Sequence, residues 1–154
     1  MFEPIKEDFL HYLWKTKKLK PEDLVTTDGI CIQVVDYGQY NVNSGPDFFN
    51  AKVEIDGTLW VGNVEMHVNT SDWLKHGHSS DKAYDNVILH VVYEHDLSPT
   101  SDIALAKIPT IALKGRIPKI YLDRYLALIQ STDSIPCQRL IKNVDPTKIE
   151  LWKY

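Results

Sequence analysis

Apolar and polar positions along the first third of the chain follow two different periods. Within residues 5 to 18 the apolar positions recur at helical spacing, which predicts an amphipathic helix that ends before Pro21. These apolar positions are Phe9, Leu10, Leu13 and Trp14. After Gly29 the β-branched run ICIQVV predicts a first strand, and the Asn- and Gly-rich stretch GQYNVNSGPD predicts a loop with tight turns.

Residues 51 to 68 have the pattern of a β-hairpin. AKVEI alternates apolar and polar residues with the period of a half-buried strand, and Asp56-Gly57 is a strong hairpin turn. The return strand, TLWVGNVEMHV, has its apolar side chains on one face at Val64, Met66 and Val68. Because successive side chains of a strand point to opposite sides, Glu65 and His67 are expected to project side by side on the other face.

The middle and the end of the chain predict one buried strand between helical segments. SDWLKH begins with two capping residues and predicts a short helical turn, which is followed by a loop or broken helix over residues 77–85. NVILHVVY is apolar on both faces, which is typical of a central strand covered on both sides. Another strand is expected near residues 108–113, a helix after Pro118 and a last helix after Pro146.

The predicted order is helix, strand, two-stranded hairpin, short helix, buried strand, strand and helix. An α/β fold with a mixed central sheet flanked by helices accounts for this order better than a β-sandwich, because the central strand is too apolar to have a face in water. At 154 residues the chain is expected to form a single domain over residues 1–154. The tail stops soon after the last predicted helix starts, so it also fits a chain that continues beyond Tyr154.

Composition places the chain among globular proteins and narrows its location. Hydrophobic residues make up 44% and charged residues 25%, values that exclude a disordered or fibrous chain. The sequence has neither the pattern of a signal peptide nor a membrane span of about 20 apolar residues. Cys31 and Cys137 form no CxxC motif, and without an export signal they are expected to be reduced. We therefore expect a cytoplasmic protein without a membrane partner.

The charge pattern argues against proteins that coat nucleic acid but permits a nuclease. The net charge is −4, and non-specific coating of nucleic acid depends on an excess of positive charge. Two local basic clusters can still contact phosphates, although solvated helix faces explain each cluster more simply. They are Lys15, Lys17, Lys18 and Lys20, and Lys114, Arg116, Lys119 and Arg124. Lys114 and Arg116 are our candidates for nucleic-acid contact.

Two carboxylates in and before the hairpin are candidate metal ligands. Divalent ions that catalyse phosphodiester cleavage prefer oxygen ligands and need open positions for phosphate and water. Asp47, where the loop meets the first hairpin strand, and Glu65, on the return strand, can converge on one ion. Glu54 and Asp56 of the same hairpin are competing candidates. This ligand set favours Mg²⁺ or Mn²⁺ as the cofactor.

The arrangement resembles the PD-(D/E)XK nuclease superfamily, whose core begins with a helix, three strands, a helix and a strand. Pro46-Asp47 matches the PD element, Glu65 matches the second acid, and His67 stands where the superfamily has lysine. The resemblance implies a restriction-endonuclease-like fold and metal-dependent cleavage of nucleic acid. A histidine can act as a base or a ligand but is mostly neutral at pH 7. Lys52 on the neighbouring strand is therefore the candidate for the missing positive charge.

A longer composite pattern resembles the family called domain of unknown function 2851. NSGPDFFNA, GNVEMH, SDWLKHGHSSDKAYDNVILHVVY and IPT carry the resemblance, which spans roughly residues 5 to 115. Its second half adds His76, His78 and Asp81, and an HxH pair followed by Asp can bind a transition metal. We expect these three residues to border the same cleft as Glu65, because the connection from its strand is short.

The other histidines and Trp73 have simpler interpretations. His90 lies in an apolar strand and is expected to be a core histidine with its hydrogen bonds satisfied. His11 and His95 are expected at the surface, and Trp73 is expected to contribute packing.

Three functions are compatible with these residues. In the first, a metal-dependent nuclease-like phosphodiesterase, Asp47 and Glu65 hold the ion. His67 then orients or deprotonates water, and Lys52 contacts phosphate. The second is a non-catalytic nucleic-acid-binding or protein-interaction domain on the same fold, favoured by the ExH variation and the acidic net charge. The third is a zinc hydrolase built on the histidines and Asp81, although their spacing matches no standard zinc signature.

Overall fold

Six strands of the described residues pair into one mixed sheet. The computed structural model describes residues 5–20, 22–97, 108–135 and 137–151. The strands are β1 (Ile32–Asp36), β2 (Gln39–Tyr40), β3 (Phe48–Ile55), β4 (Thr58–Asn69), β5 (Val87–Glu94) and β6 (Thr110–Ala112). The helices are α1 (Glu7–Lys15), α2 (Asp72–Lys75), α3 (Lys119–Ile129), α4 (Gln138–Ile141) and α5 (Pro146–Leu151), with 3₁₀ turns at His78–Ser80 and Lys82–Tyr84. Along the sheet the order is β1, β3, β4, β5, β6, with β2 paired to β3. The mixed α/β architecture predicted from the sequence is confirmed.

The β3–β4 hairpin forms where the alternation predicted it. The two strands are antiparallel, and Ile55 pairs with Thr58 across the turn. Asp56 and Gly57 both have positive φ angles, 49° and 73°, as a tight two-residue hairpin turn requires. β3 begins earlier than the alternating run, at Phe48, because the pairing with β4 continues through an irregularity in the register. That early start places Asp47 immediately before the strand.

One short strand was not predicted. Gln39 and Tyr40 lie in the Asn- and Gly-rich stretch that predicted a loop, yet they pair with Phe49 and Phe48 at the beginning of β3. Both residues are exposed, so burial does not require this pairing; the extended start of β3 offers backbone N–H and C=O groups with which a neighbouring segment can pair. The loop is therefore held to the sheet at both of its ends.

β4 and β5 form the parallel centre of the sheet. Each of them has a hydrogen-bonded strand on both sides. The parallel register places Glu65 beside His90 and His67 beside Val92. Val91 and Val92, which point to opposite faces of β5, are both fully buried. The prediction of a central strand covered on both sides is therefore confirmed.

Helix α1 is fixed to the sheet by its apolar side. Its buried residues are the ones that the helical spacing predicted: Phe9, Leu10, Leu13 and Trp14. The centroid of the Trp14 ring lies 6.3 Å from that of Phe48 on β3, and the indole N–H donates a 2.9 Å hydrogen bond to the carbonyl of Tyr37. Each such buried side chain stabilises the fold by about 1.5–3 kcal/mol. This packing also determines where His11, on the same helix, meets the sheet.

The chain divides into two compact units, Met1–Pro118 and Lys119–Tyr154. The sheet and the buried core belong to the first unit. The second contains α3 and α5, which begin just after Pro118 and at Pro146 as predicted, and the short α4. None of the described residues in the second unit is fully buried. Among the helices of the described ranges, none has the length and apolar character needed to cross a membrane.

Gly62 is a point of close approach between β4 and the segment that leads into β5. A Cβ atom at this position would lie 2.7 Å from the carbonyl oxygen of Asn86 and would overlap the Cγ2 atom of Ile88. We therefore expect Gly62→Ala to lower the free energy of unfolding by about 1–3 kcal/mol, measured by urea unfolding with circular dichroism. Val61→Ala is the control, because Val61 is exposed and its truncation should cost about 0.5 kcal/mol or less. Equal midpoints for Gly62→Ala and the control would contradict the close approach.

Candidate functional site

Glu65 and His67 lie on the same face of β4, and both are buried. Glu65 is 5% exposed and His67 is 1% exposed. Val64 and Met66 on the opposite face are also buried, so β4 is covered on both sides at this point. The expected polar face of the hairpin is therefore not in water. A carboxylate at such a position must have specific partners, because burying an unpaired charge costs several kcal/mol.

Asp47 and Glu65 are joined by two reciprocal hydrogen bonds. The backbone N–H of Asp47 donates to Oε2 of Glu65 at 3.1 Å, and the backbone N–H of Met66 donates to Oδ2 of Asp47 at 2.9 Å. The carboxylate of Glu65 therefore accepts a hydrogen bond from the backbone just before β3. The carboxylate of Asp47 accepts one from the backbone of β4. The early start of β3 makes this possible, because Phe48 pairs with Val64 and leaves Asp47 level with the carboxylate of Glu65.

His11 was expected at the surface, and that expectation is wrong. Its side chain is 14% exposed, and its Nε2 lies 3.1 Å from Oδ2 of Asp47. Burial by itself lowers the pKa of His11, but the hydrogen bond and the charge of Asp47 outweigh burial and raise the pKa. The position of His11 follows from the packing of α1, which the helical pattern predicts, but the pattern does not say what the helix packs against.

Three imidazoles meet in front of Glu65. The Nε2 atom of His67 lies 3.1 Å from Nδ1 of His76 and 3.3 Å from Nε2 of His78. Oε1 of Glu65 lies 3.6 Å from Nε2 of His67 and 3.3 Å from Nε2 of His78. One ligand atom from each of the three histidines lies within 4.8 Å of the others, a spacing that can hold a metal ion. His76 is exposed, so the group is open to solvent on one side.

The chain segment between β4 and β5 brings His76 and His78 to this face. Two parallel strands cannot be joined by a tight turn, so the connecting segment crosses over the sheet. Trp73 in α2 anchors the crossover, with its ring centroid 6.3 Å from that of His67 and 5.3 Å from that of His90. The predicted packing role of Trp73 is confirmed. Tyr84 stacks on the ring of His78 with centroids 3.8 Å apart.

His90 lies behind His67 and is completely buried. Its Nε2 is 2.8 Å from Nδ1 of His67, so the two rings share one hydrogen bond. The other ring nitrogen of His90, Nδ1, is buried and has no hydrogen-bond partner among the described residues. The prediction of a core histidine is therefore correct for its burial, but its hydrogen bonds are only half satisfied. Sequence reasoning missed its contact with His67, which only the parallel register of β4 and β5 reveals.

Burial determines the charges of these groups. Burial, followed by the charge of Asp47, raises the pKa of Glu65 to about 9. Burial, followed by the neighbouring histidines, lowers the pKa of His67 to about 2, and burial also lowers the pKa of His90 to about 3. His67 and His90 are therefore neutral near pH 7 and offer lone pairs. A cation placed between the imidazoles and Glu65 would favour the ionised form of that carboxyl.

Four other candidate residues do not join this group. Lys52 pairs with Val61, four residues before Glu65, which is about 13 Å along the strand. The ammonium group of Lys114 forms a 2.6 Å ion pair with Glu94, and Arg116 donates to a backbone carbonyl at 2.9 Å. Asp81 accepts a hydrogen bond from the N–H of Ala83 and caps a 3₁₀ turn. His78 lies beside Glu65 and His76 beside His67, whereas Asp81 is not part of the histidine cluster.

His95, which was also expected at the surface, is exposed, and its Nδ1 lies 2.9 Å from the hydroxyl of Thr70. It is not among the histidines that converge near Glu65.

A comparison with protein families gives a match that covers almost the whole chain. The profile described as "Protein of unknown function (DUF2851)" matches residues 7–154. The chain belongs to this family. No match was found among curated proteins or among solved structures. Since the DUF2851 description assigns no activity, the functional argument rests on the residues around Glu65.

The buried carboxyl of Glu65 should make the stability of the metal-free chain depend on pH. The pKa of Glu65 is about 9 in the folded state, against an ordinary value of 4.5. Its contribution to the free energy of unfolding is therefore fully present below pH 4.5 and is lost as pH rises toward 9. Glu65→Gln removes this titration. We expect the variant to gain unfolding free energy relative to wild type as pH rises from 5 to 8, by roughly 4 kcal/mol.

Urea unfolding in the presence of a chelator at several pH values measures this difference. Glu54→Gln, on the neighbouring strand, is the matched control. Wild-type and Glu65→Gln curves that stay parallel from pH 5 to 8 would show that Glu65 ionises normally in the folded chain.

Proposed function

We propose that this chain is a metal-dependent phosphodiesterase of the nuclease type in which Glu65 is the anionic ligand of a divalent ion. The observation that carries the proposal is a buried carboxylate that is bonded to Asp47 on one side and faces the neutral imidazole of His67 on the other. A purely structural acid has no need of such surroundings, because an apolar residue would fill the same space at lower cost. Buried titratable groups with shifted pKa values are typical of functional sites.

The order and pairing of the elements support the nuclease type. A helix is followed by three main strands, short helical turns and a further strand, and that strand is parallel to β4. This is the order that the PD-(D/E)XK resemblance implies, with Asp47 before β3 and Glu65 on β4. We include a restriction-endonuclease-like fold in the proposal on this ground. Asp47 here acts mainly as a positioning residue, since its Oδ2 bonds to His11 and to the backbone of β4.

The roles of the other residues follow from their contacts. A bound divalent ion would supply Lewis-acid activation of the phosphate and of a water molecule. His67 offers Nε2 to such an ion, because its Nδ1 already bonds to His90. We therefore assign His67 as a ligand, instead of the group that orients water. Lys52, Lys114 and Arg116 are not part of the proposal, since the first lies away from Glu65 and the other two have partners of their own.

A second candidate function is a non-catalytic nucleic-acid-binding or protein-interaction domain on the same fold. The observation that favours it is the position of Lys52, which does not supply a positive charge beside Glu65. The superfamily's usual lysine position holds His67, whose pKa burial lowers to about 2. A site without a fixed positive charge for phosphate would bind without cleaving.

Glu65→Gln should abolish cleavage while it preserves the fold. The substitution keeps the size of the side chain but removes the charge on which a cation depends, so we expect a loss of about 10²-fold or more in rate. The rate of cleavage is measured on single- and double-stranded DNA and RNA with Mn²⁺, Mg²⁺ or Zn²⁺. Circular dichroism verifies that the variant is folded. Glu54→Gln, the matched control, should change the rate less than about twofold. If wild type binds nucleic acid but cleaves none of these substrates, the non-catalytic domain is the correct function.

His67→Lys distinguishes a ligand from a substitute for the superfamily's lysine. If His67 holds the ion through Nε2, the ammonium group repels the cation, and both metal affinity and cleavage should fall by about 10-fold or more. A variant that cleaves as fast as wild type or faster would assign His67 the water-orienting role. Metal affinity measured by calorimetry on the same preparation separates loss of binding from loss of chemistry.

A further inference from the structure

We infer that His67, His76 and His78, together with the carboxyl of Glu65, form a site for a transition-metal ion of the zinc type. The inference goes beyond the proposed function, because the site would hold the ion equally in a non-catalytic domain. It also replaces the Mg²⁺ or Mn²⁺ expected from the sequence with an ion that prefers nitrogen ligands. The ligand atoms are Oε1 of Glu65, Nε2 of His67, Nδ1 of His76 and Nε2 of His78.

Four of the six separations among these atoms are close to the edge lengths of a tetrahedron around one ion. Ligands at the usual zinc bond lengths of about 2.0–2.1 Å stand about 3.3–3.4 Å apart at the corners of a tetrahedron. The separations are 3.1 Å from His67 to His76, 3.3 Å from His67 to His78, 3.3 Å from Glu65 to His78 and 3.6 Å from Glu65 to His67. The three histidine ligand atoms also lie within 4.8 Å of one another. The three imidazoles therefore need only small rotations to bind a common ion.

Hydrogen bonds alone cannot satisfy the same contacts. A neutral imidazole has one N–H group, so one of its ring nitrogens donates a hydrogen bond and the other accepts one. His67 donates or accepts at Nδ1 toward His90, and its single Nε2 atom faces three polar neighbours at 3.1 to 3.6 Å. One proton can bridge His67 Nε2 to only one of these neighbours at a time. A cation between the three ring nitrogens interacts with all of them together.

His90 supports the site from behind. Metal-bound histidines usually donate their other ring N–H to a fixed acceptor, which holds the ring in the correct orientation. Nε2 of His90 lies 2.8 Å from Nδ1 of His67 and can accept that hydrogen. The lone pair of His67 Nε2 then points toward the ligands from the crossover segment. His90 is completely buried, so this orientation is set by the core of the sheet.

The chemistry of the ligands selects the class of ion. Imidazole nitrogens suit zinc, cobalt and nickel, whereas magnesium requires oxygen ligands in an octahedron. Three neutral imidazoles and one carboxylate carry a single negative charge, which a divalent ion converts to a net positive centre. His76 is exposed, which gives the ion a path of entry from solvent.

Metal binding by the tag-free full chain, in the absence of nucleic acid, tests this inference. Bound metal is first removed with a chelator. Binding of Zn²⁺ and Mg²⁺ is then measured by calorimetry, and binding of Co²⁺ by the visible absorption spectrum. We expect one Zn²⁺ per chain, no competing Mg²⁺ binding and the intense absorption of tetrahedral Co²⁺. His76→Ala and His78→Ala should each weaken Zn²⁺ binding by about 10²-fold or more. His95→Ala, which removes an exposed histidine outside the group, should leave it unchanged.

The inference is wrong if the folded wild-type chain does not bind Zn²⁺ or Co²⁺, if Mg²⁺ binds more tightly, or if Co²⁺ gives a weak octahedral spectrum. It is also wrong if His76→Ala and His78→Ala bind Zn²⁺ as wild type does. His76 is exposed, so its truncation is a test that does not endanger the fold. Because the assay contains no nucleic acid, absence of cleavage leaves these outcomes unaffected, and binding without cleavage would contradict only the proposed function.

Discussion

The burial of one carboxylate in the centre of the sheet is the constraint on which the rest of the site depends. Glu65 lies on an inner strand with neighbours on both sides, at a depth where a bare charge costs several kcal/mol. Asp47 donates a main-chain hydrogen bond to it from the approach to β3, and the imidazoles lie in front of it. The early start of β3, the return of the crossover and the placement of His90 all converge on this one side chain.

Two different parts of the fold supply the two sides of the site. The β3–β4 hairpin and β5 provide Glu65, His67 and His90, whose positions are fixed by strand pairing. The crossover provides His76 and His78, which reach the same point because parallel pairing requires the chain to pass over one face of the sheet. The parallel direction of β5 therefore determines which side chains reach the site. An antiparallel neighbour joined by a tight turn would leave no segment to cover Glu65.

The local patterns of the sequence predicted the elements well because each depends on neighbouring residues. The apolar positions of α1, the Asp56-Gly57 turn and the all-apolar β5 are properties of short stretches. Their periods are set by backbone geometry, which makes them readable without the fold.

The composition of the site was less predictable because its contacts join distant parts of the chain. Glu65 and His67 could be paired from strand alternation, and the HxH motif identified His76 and His78. His11 and His90 could not be placed, since one depends on how α1 packs and the other on the register of two parallel strands. Lys52 shows the opposite error, because neighbouring strands do not bring residues together unless their register does.

The crossover segment has a stability different from that of the sheet it covers. Between Asp72 and Tyr84, Trp73 is the only fully buried residue, whereas β4 is buried throughout residues 62–67 and β5 throughout residues 89–92. Segments with few buried contacts open at a small fraction of the global unfolding free energy, and amide hydrogen exchange detects such openings. The crossover, which carries His76 and His78, can therefore detach and return while the strands that carry Glu65 and His67 stay folded. Exchange of whatever the site holds then requires only a local opening, on a timescale separate from that of global unfolding.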